Sequence, residues 1–413
     1  MRTIIGLSIL IILGYLGAYH FRTFFKKSKV LDQFLNSGFL FILIGVLCGP
    51  FGMNLLSVRV IHQLDPFIYL GLGWIGFIVG LQFEMRLLKL VPKRIFFLAQ
   101  LEGLVSLAVL FGGLWLLLSG LAGVMRSPVF EVWTGVIILS ACGAVSSSLA
   151  ARYYAKTLPK AQKALRPLEY LISLHVFIPV LALLILYSFF HLDQREGEHF
   201  SGWVWMVTHG LVGVLLGVMM FYLLKVKMRD NERLLLILGS IIFSSGIAGY
   251  LHLSPVVICF IAGIIFANLP GFNSLLMEAV LRRAERPVYF ILLILAGSLW
   301  DFRSVWVWIF LATYMLIRFV AKGVAFLSVL KLEPSLELKP SYLGGMLAQG
   351  PLAIAFVIGY EVVYSSGFLP FIVTAILGGA MLNEILAGQL MLKAFPPQET
   401  DEMKRGESAG DIL

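Results

Sequence analysis

Charged residues are scarce in this chain, and cysteines are scarcer. Asp, Glu, Lys and Arg make up only 13% of its 413 residues, about half the share of a typical soluble domain. This scarcity excludes an ordinary water-soluble domain. The three cysteines, Cys48, Cys142 and Cys259, each lie within an apolar run, so we expect small buried side chains and no disulfide framework.

Hydrophobic residues instead make up 59% of the chain, gathered in runs of helix length. Residues 177–190 are apolar on every face, whereas the strands of a membrane barrel alternate apolar and polar residues. Because a helix needs about 20 apolar residues to cross the hydrocarbon of a lipid bilayer, the sequence predicts an all-α polytopic membrane protein. Thirteen spans are predicted, near residues 3–19, 34–49, 67–83, 95–118, 131–151, 167–190, 203–224, 234–250, 254–269, 286–300, 305–330, 341–362 and 368–392.

Lys and Arg alternate between the two sides that these spans define. The connections on one side, with the carboxyl end, hold 25 of the 32 basic residues, and the connections on the other side hold 5. Positive residues favour the cytoplasmic side, so we expect the amino terminus outside the inner membrane of the cell and the carboxyl terminus in the cytoplasm. Residues 394–413 are predicted to be a short disordered tail. The net charge of +9 is dispersed in short clusters, which argues against a nucleic-acid partner.

The remaining two basic residues lie in the middle of a predicted span. Arg318 and Lys322 are four residues apart and therefore share a helix face. A charge at the bilayer centre costs about 2.5–3.5 kcal/mol on insertion scales, so such residues usually face a partner or an ion path. Arg318 has the alternative of reaching an interface with its long side chain, which favours Lys322 as the functional residue.

Two other polar side chains lie within predicted spans. Glu102, in the fourth span, is a candidate partner for one of the two cations or for a helix end. His175, deep in the sixth span, is of a type that titrates near neutral pH. The alternative for His175 is a hydrogen-bonded histidine of the core.

The fifth and twelfth spans contain strings that ordinary transmembrane helices avoid, "LSACGAVSSSLAA" and "MLAQGPLAIAF". Each predicts a broken helix whose free backbone carbonyls and end charges bind ions, although a continuous kinked helix is the alternative. The two spans are seven apart, an odd offset, which predicts an inverted repeat of the kind found in transporters. The candidate ion-site residues in these breaks are Gly143, Ser146, Ser147, Ser148, Gln349, Gly350 and Pro351.

Motifs of catalysis are missing. No Ser/His/Asp, metal-ligand or phosphate-loop spacing appears in the sequence. We therefore predict no enzyme, no cofactor and no metal site.

Several strings resemble the cation:proton antiporter superfamily of sodium/hydrogen exchanger type, which is related to bacterial potassium-efflux and sodium/proton antiporters. The resemblance covers most of the chain, in the right order. The matching strings are "DPFIYLGLGWIGFIVGLQFEMRLLK", "FSSGIAGYLHLSPVVICFIAGIIFANLP", "RPVYFILLILAGSLWDF", "RFVAKGVAF" and "QGPLAIAFVIG".

The resemblance implies an exchanger domain over residues 1–393 with two crossed broken helices. An ion-carrying core, residues 95–190 and 305–392, would move against a scaffold that also forms a homodimer. Members exchange Na⁺ or K⁺ for protons at an acidic residue of the sixth helix, and Lys322 matches the family's basic position. This chain departs from the pattern, because its sixth helix has His175 where the acid is expected.

Two functions therefore remain open. The first is antiport of a monovalent cation and protons, in which Lys322, His175, Glu102 and Arg318 are the candidates for transport and proton coupling. The second is a degenerate antiporter fold that acts as a sensor, a channel or a membrane subunit.

Overall fold

The chain folds into α-helices, as shown by a computed structural model. No strand occurs among the residues that the structure describes, which confirms the all-α class. The first predicted span and nearly all of the predicted tail lie outside these residues. The described residues are 38–125, 128–148, 150–151, 162–191, 201–225, 229–270, 274–336, 338–364 and 366–395.

Two short 3₁₀ turns, Pro334–Leu336 and Pro340–Tyr342, precede the last three helices. The helices of the amino-terminal part are α1 (Leu40–Cys48), α2 (Val58–Gln63), α3 (Asp65–Leu81), α4 (Met85–Leu88), α5 (Lys93–Met125), α6 (Val129–Ala144), α7 (Gln162–Leu174) and α8 (Phe177–Phe189). Those of the carboxyl-terminal part are α9 (Gly202–Leu224), α10 (Asp230–Tyr250), α11 (Pro255–Asn268), α12 (Ser274–Ser298), α13 (Val305–Leu332), α14 (Leu343–Leu347), α15 (Pro351–Val363) and α16 (Leu369–Ala394).

Each predicted span from the second to the thirteenth overlaps one of these helices or two in succession. Within the described residues, six helical segments are long and apolar enough to cross a membrane, or seven when the bent pair α14–α15 is included. The protein is therefore a multi-pass membrane protein. The predicted count of thirteen crossings is not confirmed, because α3, α6, α11 and the apolar part of α12 are shorter than a full span.

Glycines bring the backbones of several helices into direct contact. Helix α3 packs along α11, where a Cβ on Gly76 would overlap the Val256 carbonyl oxygen and one on Gly80 would overlap that of Phe260. Helices α1 and α12 approach each other in the same way, with Gly297 against the Ile42 backbone. Inside a membrane the hydrophobic effect does not drive helices together, so their association depends on close packing, which small residues permit.

Helix α5 packs on α6 and on α13, and α13 packs on α16. These helices surround two interruptions of the backbone. Helix α6 ends at Ala144, the chain becomes extended at Val145, and the Ser147 hydroxyl then accepts from the Ala150 amide at 3.2 Å, as an N-cap does. The second interruption separates α14 from α15, which begins at Pro351, and the two segments of that span meet at 42°.

The sixth predicted span is also interrupted, between α7 and α8. His175 and Val176 form a turn there. The proline at position 179 has no amide hydrogen, and within a continuous helix its ring would clash with the His175 carbonyl. The predicted span over residues 167–190 is therefore two helices, α7 and α8, and not one.

Candidate functional site

The two broken spans meet at their interruptions. The Ser147 amide donates to the Ala348 carbonyl at 2.8 Å, and the Ser146 hydroxyl donates to the Met346 carbonyl at 2.7 Å. A Cβ on Gly350 would lie 2.9 Å from the Ser147 hydroxyl, so a glycine is required for this approach. The two interruptions are thus joined by hydrogen bonds in the interior of the protein, where each chain segment leaves its own helix.

Arg318 binds backbone carbonyls at both interruptions. Its guanidinium donates to the carbonyls of Gly143 at 3.0 Å, Val145 at 3.0 Å and Leu347 at 2.6 Å. Arg318 is 1% exposed, so the contacts replace water for both partners. A cation at the carboxyl end of a helix also opposes the negative end of the helix dipole. Arg318 therefore joins the two half-helices.

Lys322 lies one helical turn further along α13. Its ammonium donates to the Ala144 carbonyl and to Glu102 Oε1, at 3.0 Å for the carboxylate. Both side chains are completely buried. An ion pair in this position keeps each charge from standing alone in a medium of low dielectric constant.

Glu102 uses only one of its two carboxylate oxygens in this way. Oε2 is buried and has no hydrogen-bond partner in the structure. The nearest basic nitrogen recorded for it is His175 Nδ1 at 3.8 Å, beyond hydrogen-bond distance. A buried carboxylate oxygen without a partner is costly and is the feature of this region that most needs an explanation.

His175 is held as a neutral ring by its own partners. Nδ1 lies 3.1 Å from the Leu171 carbonyl, which can only accept, and Nε2 lies 3.1 Å from the Ser146 amide, which can only donate. These partners assign the proton to Nδ1. In this conformation His175 fixes the start of the Ser146–Ser148 segment.

A second group of polar side chains supports the interruptions from the other side. The Gln349 amide donates to the Cys142 carbonyl and to the Tyr314 hydroxyl, both at 3.1 Å. Its own oxygen accepts from Asn383 on α16 at 3.1 Å. The interruptions are therefore bonded to α13 and to α16 as well as to each other.

The structure brings most of the predicted site residues into one contact network. Pro351 starts α15, and Ser148 is half-buried in the segment that follows the first interruption. Members of the network named in the sequence analysis are Glu102, Gly143, Ser146, Ser147, His175, Arg318, Lys322, Gln349 and Gly350.

Sequence reasoning missed Tyr314 and Asn383. Tyr314 is one turn before Arg318 on the same face of α13, so the i, i+4 spacing was the available signal. Asn383 is an isolated amide in α16, and the sequence carries no sign that it faces Gln349. Among the described residues, no group of three or more His, Cys, Asp and Glu side chains is arranged to hold a metal ion.

The sequence profile of the transmembrane sodium/hydrogen exchangers matches residues 7–389. The chain belongs to the sodium/hydrogen exchanger family. This family transports ions and is not a family of catalytic enzymes. No curated protein sequence shows significant similarity to this exchanger chain.

Solved structures share the fold of this family member. The sodium proton antiporter MjNhaP1 from Methanocaldococcus jannaschii, at pH 8, superposes with a TM-score of 0.63 at 15% sequence identity, covering 96% of this chain and 100% of the other. At this identity the likeness establishes the antiporter fold.

Proposed function

We propose that the chain exchanges a monovalent cation, Na⁺ or K⁺, for protons, and that the cation competes with the protonated Lys322 side chain for the Glu102 carboxylate. The supporting observation is that Glu102 is completely buried, binds the Lys322 ammonium through Oε1 and leaves Oε2 without a partner. In the family this role belongs to an acid of the sixth helix. Here the corresponding sixth predicted span carries His175, in the turn between α7 and α8, and the carboxylate beside it comes from α5.

The charges at the site explain why cation and proton would be coupled. Of the groups with recorded contacts at the interruptions, Arg318 and Lys322 are cationic and Glu102 is anionic. A further cation would add to an excess of positive charge in a water-poor region, which is unfavourable. Loss of one proton offsets the charge that the bound cation adds.

The cycle that follows is balanced. A cation binds the Glu102 carboxylate and displaces the Lys322 ammonium, which without its counter-charge releases a proton to water. On the other side of the membrane the cation leaves, and Lys322 takes up a proton and pairs with Glu102 again. One cation thereby moves against one proton.

Arg318 has a different role in this proposal. A guanidinium stays protonated in proteins. Its hydrogen bonds to three carbonyls hold the side chain of Arg318 in place. It fixes the half-helices while Lys322 exchanges partners. His175 positions Ser146, and Gly143, Ser147, Gln349, Gly350 and Pro351 shape the interruptions.

The proposed exchanger consists of a moving core and a fixed scaffold. Residues 95–190 and 305–392 form the moving core, and the glycine-packed helices around α3 and α11 form the scaffold and the homodimer contact. The exchanger lies in the inner membrane with its carboxyl terminus in the cytoplasm.

Proteoliposomes that contain a pH-sensitive dye test the proposal. Addition of Na⁺ or K⁺ outside vesicles with an acidic interior should raise the internal pH with the wild type. Glu102→Gln, purified as a folded protein, should show no such change. Lack of any response of the wild type to Na⁺, K⁺ and Li⁺ would exclude the proposed function.

The alternative, a transport-inactive sensor or subunit, is favoured by one observation. His175 replaces the family's acid, and its ring is fully hydrogen-bonded. Under this alternative Lys322→Ala would disturb stability or partner binding but would not change ion flux. Restored salt tolerance in an antiporter-deficient strain that expresses the wild type would count against it.

A further inference from the structure

Ser106 carries a second buried oxygen without a partner, near Glu102. Ser106 is completely buried, and its hydroxyl makes no hydrogen bond in the structure. It lies four residues after Glu102 in α5, so the two side chains share one helix face, with Cβ atoms about 5–6 Å apart. Two buried side chains, each with an oxygen that has no partner, are therefore neighbours on one face of α5.

The hydroxyl of Ser106 does not make the hydrogen bond that several helical serines of this protein make; among the described residues, those of Ser140 and Ser188 are also buried without a partner. Serine in an apolar helix normally donates to the carbonyl four residues earlier. Ser244 donates in this way to Ser240 at 2.7 Å, and Ser328 donates to Val324 at 2.8 Å. The corresponding carbonyl for Ser106 is that of Glu102 itself, and this bond is not made.

Four backbone carbonyls at the interruptions already accept hydrogen bonds from cationic side chains. Arg318 holds the carbonyls of Gly143, Val145 and Leu347, and Lys322 holds that of Ala144. A cation at this level of the core must therefore find its oxygen ligands elsewhere. Oxygen ligands from the protein replace part of the hydration shell when an ion enters a buried site.

We propose that Ser106 is a ligand of the transported cation, which lies between Glu102 Oε2 and the Ser106 hydroxyl oxygen. This inference rests on the proposed antiport function and adds its second protein ligand. A hydroxyl oxygen beside a carboxylate gives the ion a neutral and an anionic ligand on one rigid helix. The arrangement also explains why Ser106 leaves its usual backbone acceptor unused.

The matched test compares Ser106 with Ser188. Ser188 is also completely buried with an unpartnered hydroxyl, but it lies at the far end of α8 from His175. Ser106→Ala should raise the apparent KM for the transported cation in proteoliposomes about tenfold, as for loss of one ligand in a buried site. The maximal rate should stay within about twofold, since Glu102 and Lys322 remain, and Ser188→Ala should behave as the wild type.

Two further measurements keep the test decisive. Calorimetric titration of the purified protein with Na⁺ and with K⁺ should show the same rise in Kd for Ser106→Ala. If that variant does not fold, Ser106→Cys preserves the volume but offers sulfur, a poor ligand for a hard cation, and should show the same defect.

Unchanged KM and Kd in both folded Ser106 variants would overturn the inference even if Glu102→Gln abolishes transport. An equal change in Ser188→Ala would also overturn it. Absence of cation-driven proton flux in the wild type would instead reject the antiport function itself.

Discussion

The α3–α11 contact and the meeting point of the interruptions show two different ways to hold helices together in a membrane. At α3–α11, Gly76 and Gly80 let one backbone lie on another, and no charge is involved. At the interruptions, Arg318 and Lys322 replace missing backbone hydrogen bonds with charge-assisted ones. The first contact depends on shape alone, whereas the second depends on where protons and ions reside.

This difference indicates which region is built to change state. The glycine contacts offer no alternative partner, so we expect the proposed scaffold to be rigid. The ammonium of Lys322 faces a carboxylate that can also bind an ion or a proton. The proposal thus separates a stable frame from a titratable centre within one bundle.

The largest effect is expected where a charge replaces backbone bonds. Arg318→Met removes three donors, and each hydrogen bond to a charged group contributes about 1.5–3 kcal/mol, so we expect a loss of at least about 3 kcal/mol in unfolding free energy. Thermal and denaturant unfolding in detergent measure it. Arg94, which is 80% exposed and lies 3.5 Å from Glu333, is the control, and Arg94→Met should cost less than about 1 kcal/mol.

The next effect tests whether Glu102 and Lys322 act as a pair. Lys322→Met leaves a buried carboxylate alone and should destabilise the protein, whereas the double variant with Glu102→Gln should regain part of the loss. A double-mutant cycle should give an interaction energy of about 0.5–3 kcal/mol. Strict additivity would show that the ion pair has no energetic role. All three variants should lack cation–proton exchange.

A smaller effect is expected in the scaffold. Gly76→Ala places a methyl group on the Val256 carbonyl and should cost about 1–3 kcal/mol. Gly112→Ala, in α5 with nothing within 4 Å of the added atom, should be neutral or slightly stabilising, as alanine is in a helix. Folded Gly76→Ala protein should transport with an unchanged KM. A changed KM would contradict the proposal that the α3–α11 contact is independent of the cation site.

Much of this architecture follows from sequence because membranes restrict the choices. Apolar runs must be helices, and the Ser-rich and Gly-Pro strings weaken the helix at the two main interruptions. The charge cost at the bilayer centre singles out Arg318, Lys322 and Glu102 before any contact is known. The structure then places Lys322 on Glu102.

The remaining details depend on tertiary contacts. Nothing in the local sequence tells which carbonyls Arg318 will bind, since two distant segments supply them. The role of Ser106 is hidden for a related reason. A serine in an apolar helix usually satisfies itself, and only the structure shows that this one does not.

The most direct test of the account is proton release on cation binding. Weakly buffered, purified protein is titrated with the transported cation while the pH is recorded. The account predicts about one proton released per cation bound by the wild type, and none with Glu102→Gln. Cation binding without proton release, or equal release by folded Glu102→Gln, would contradict it.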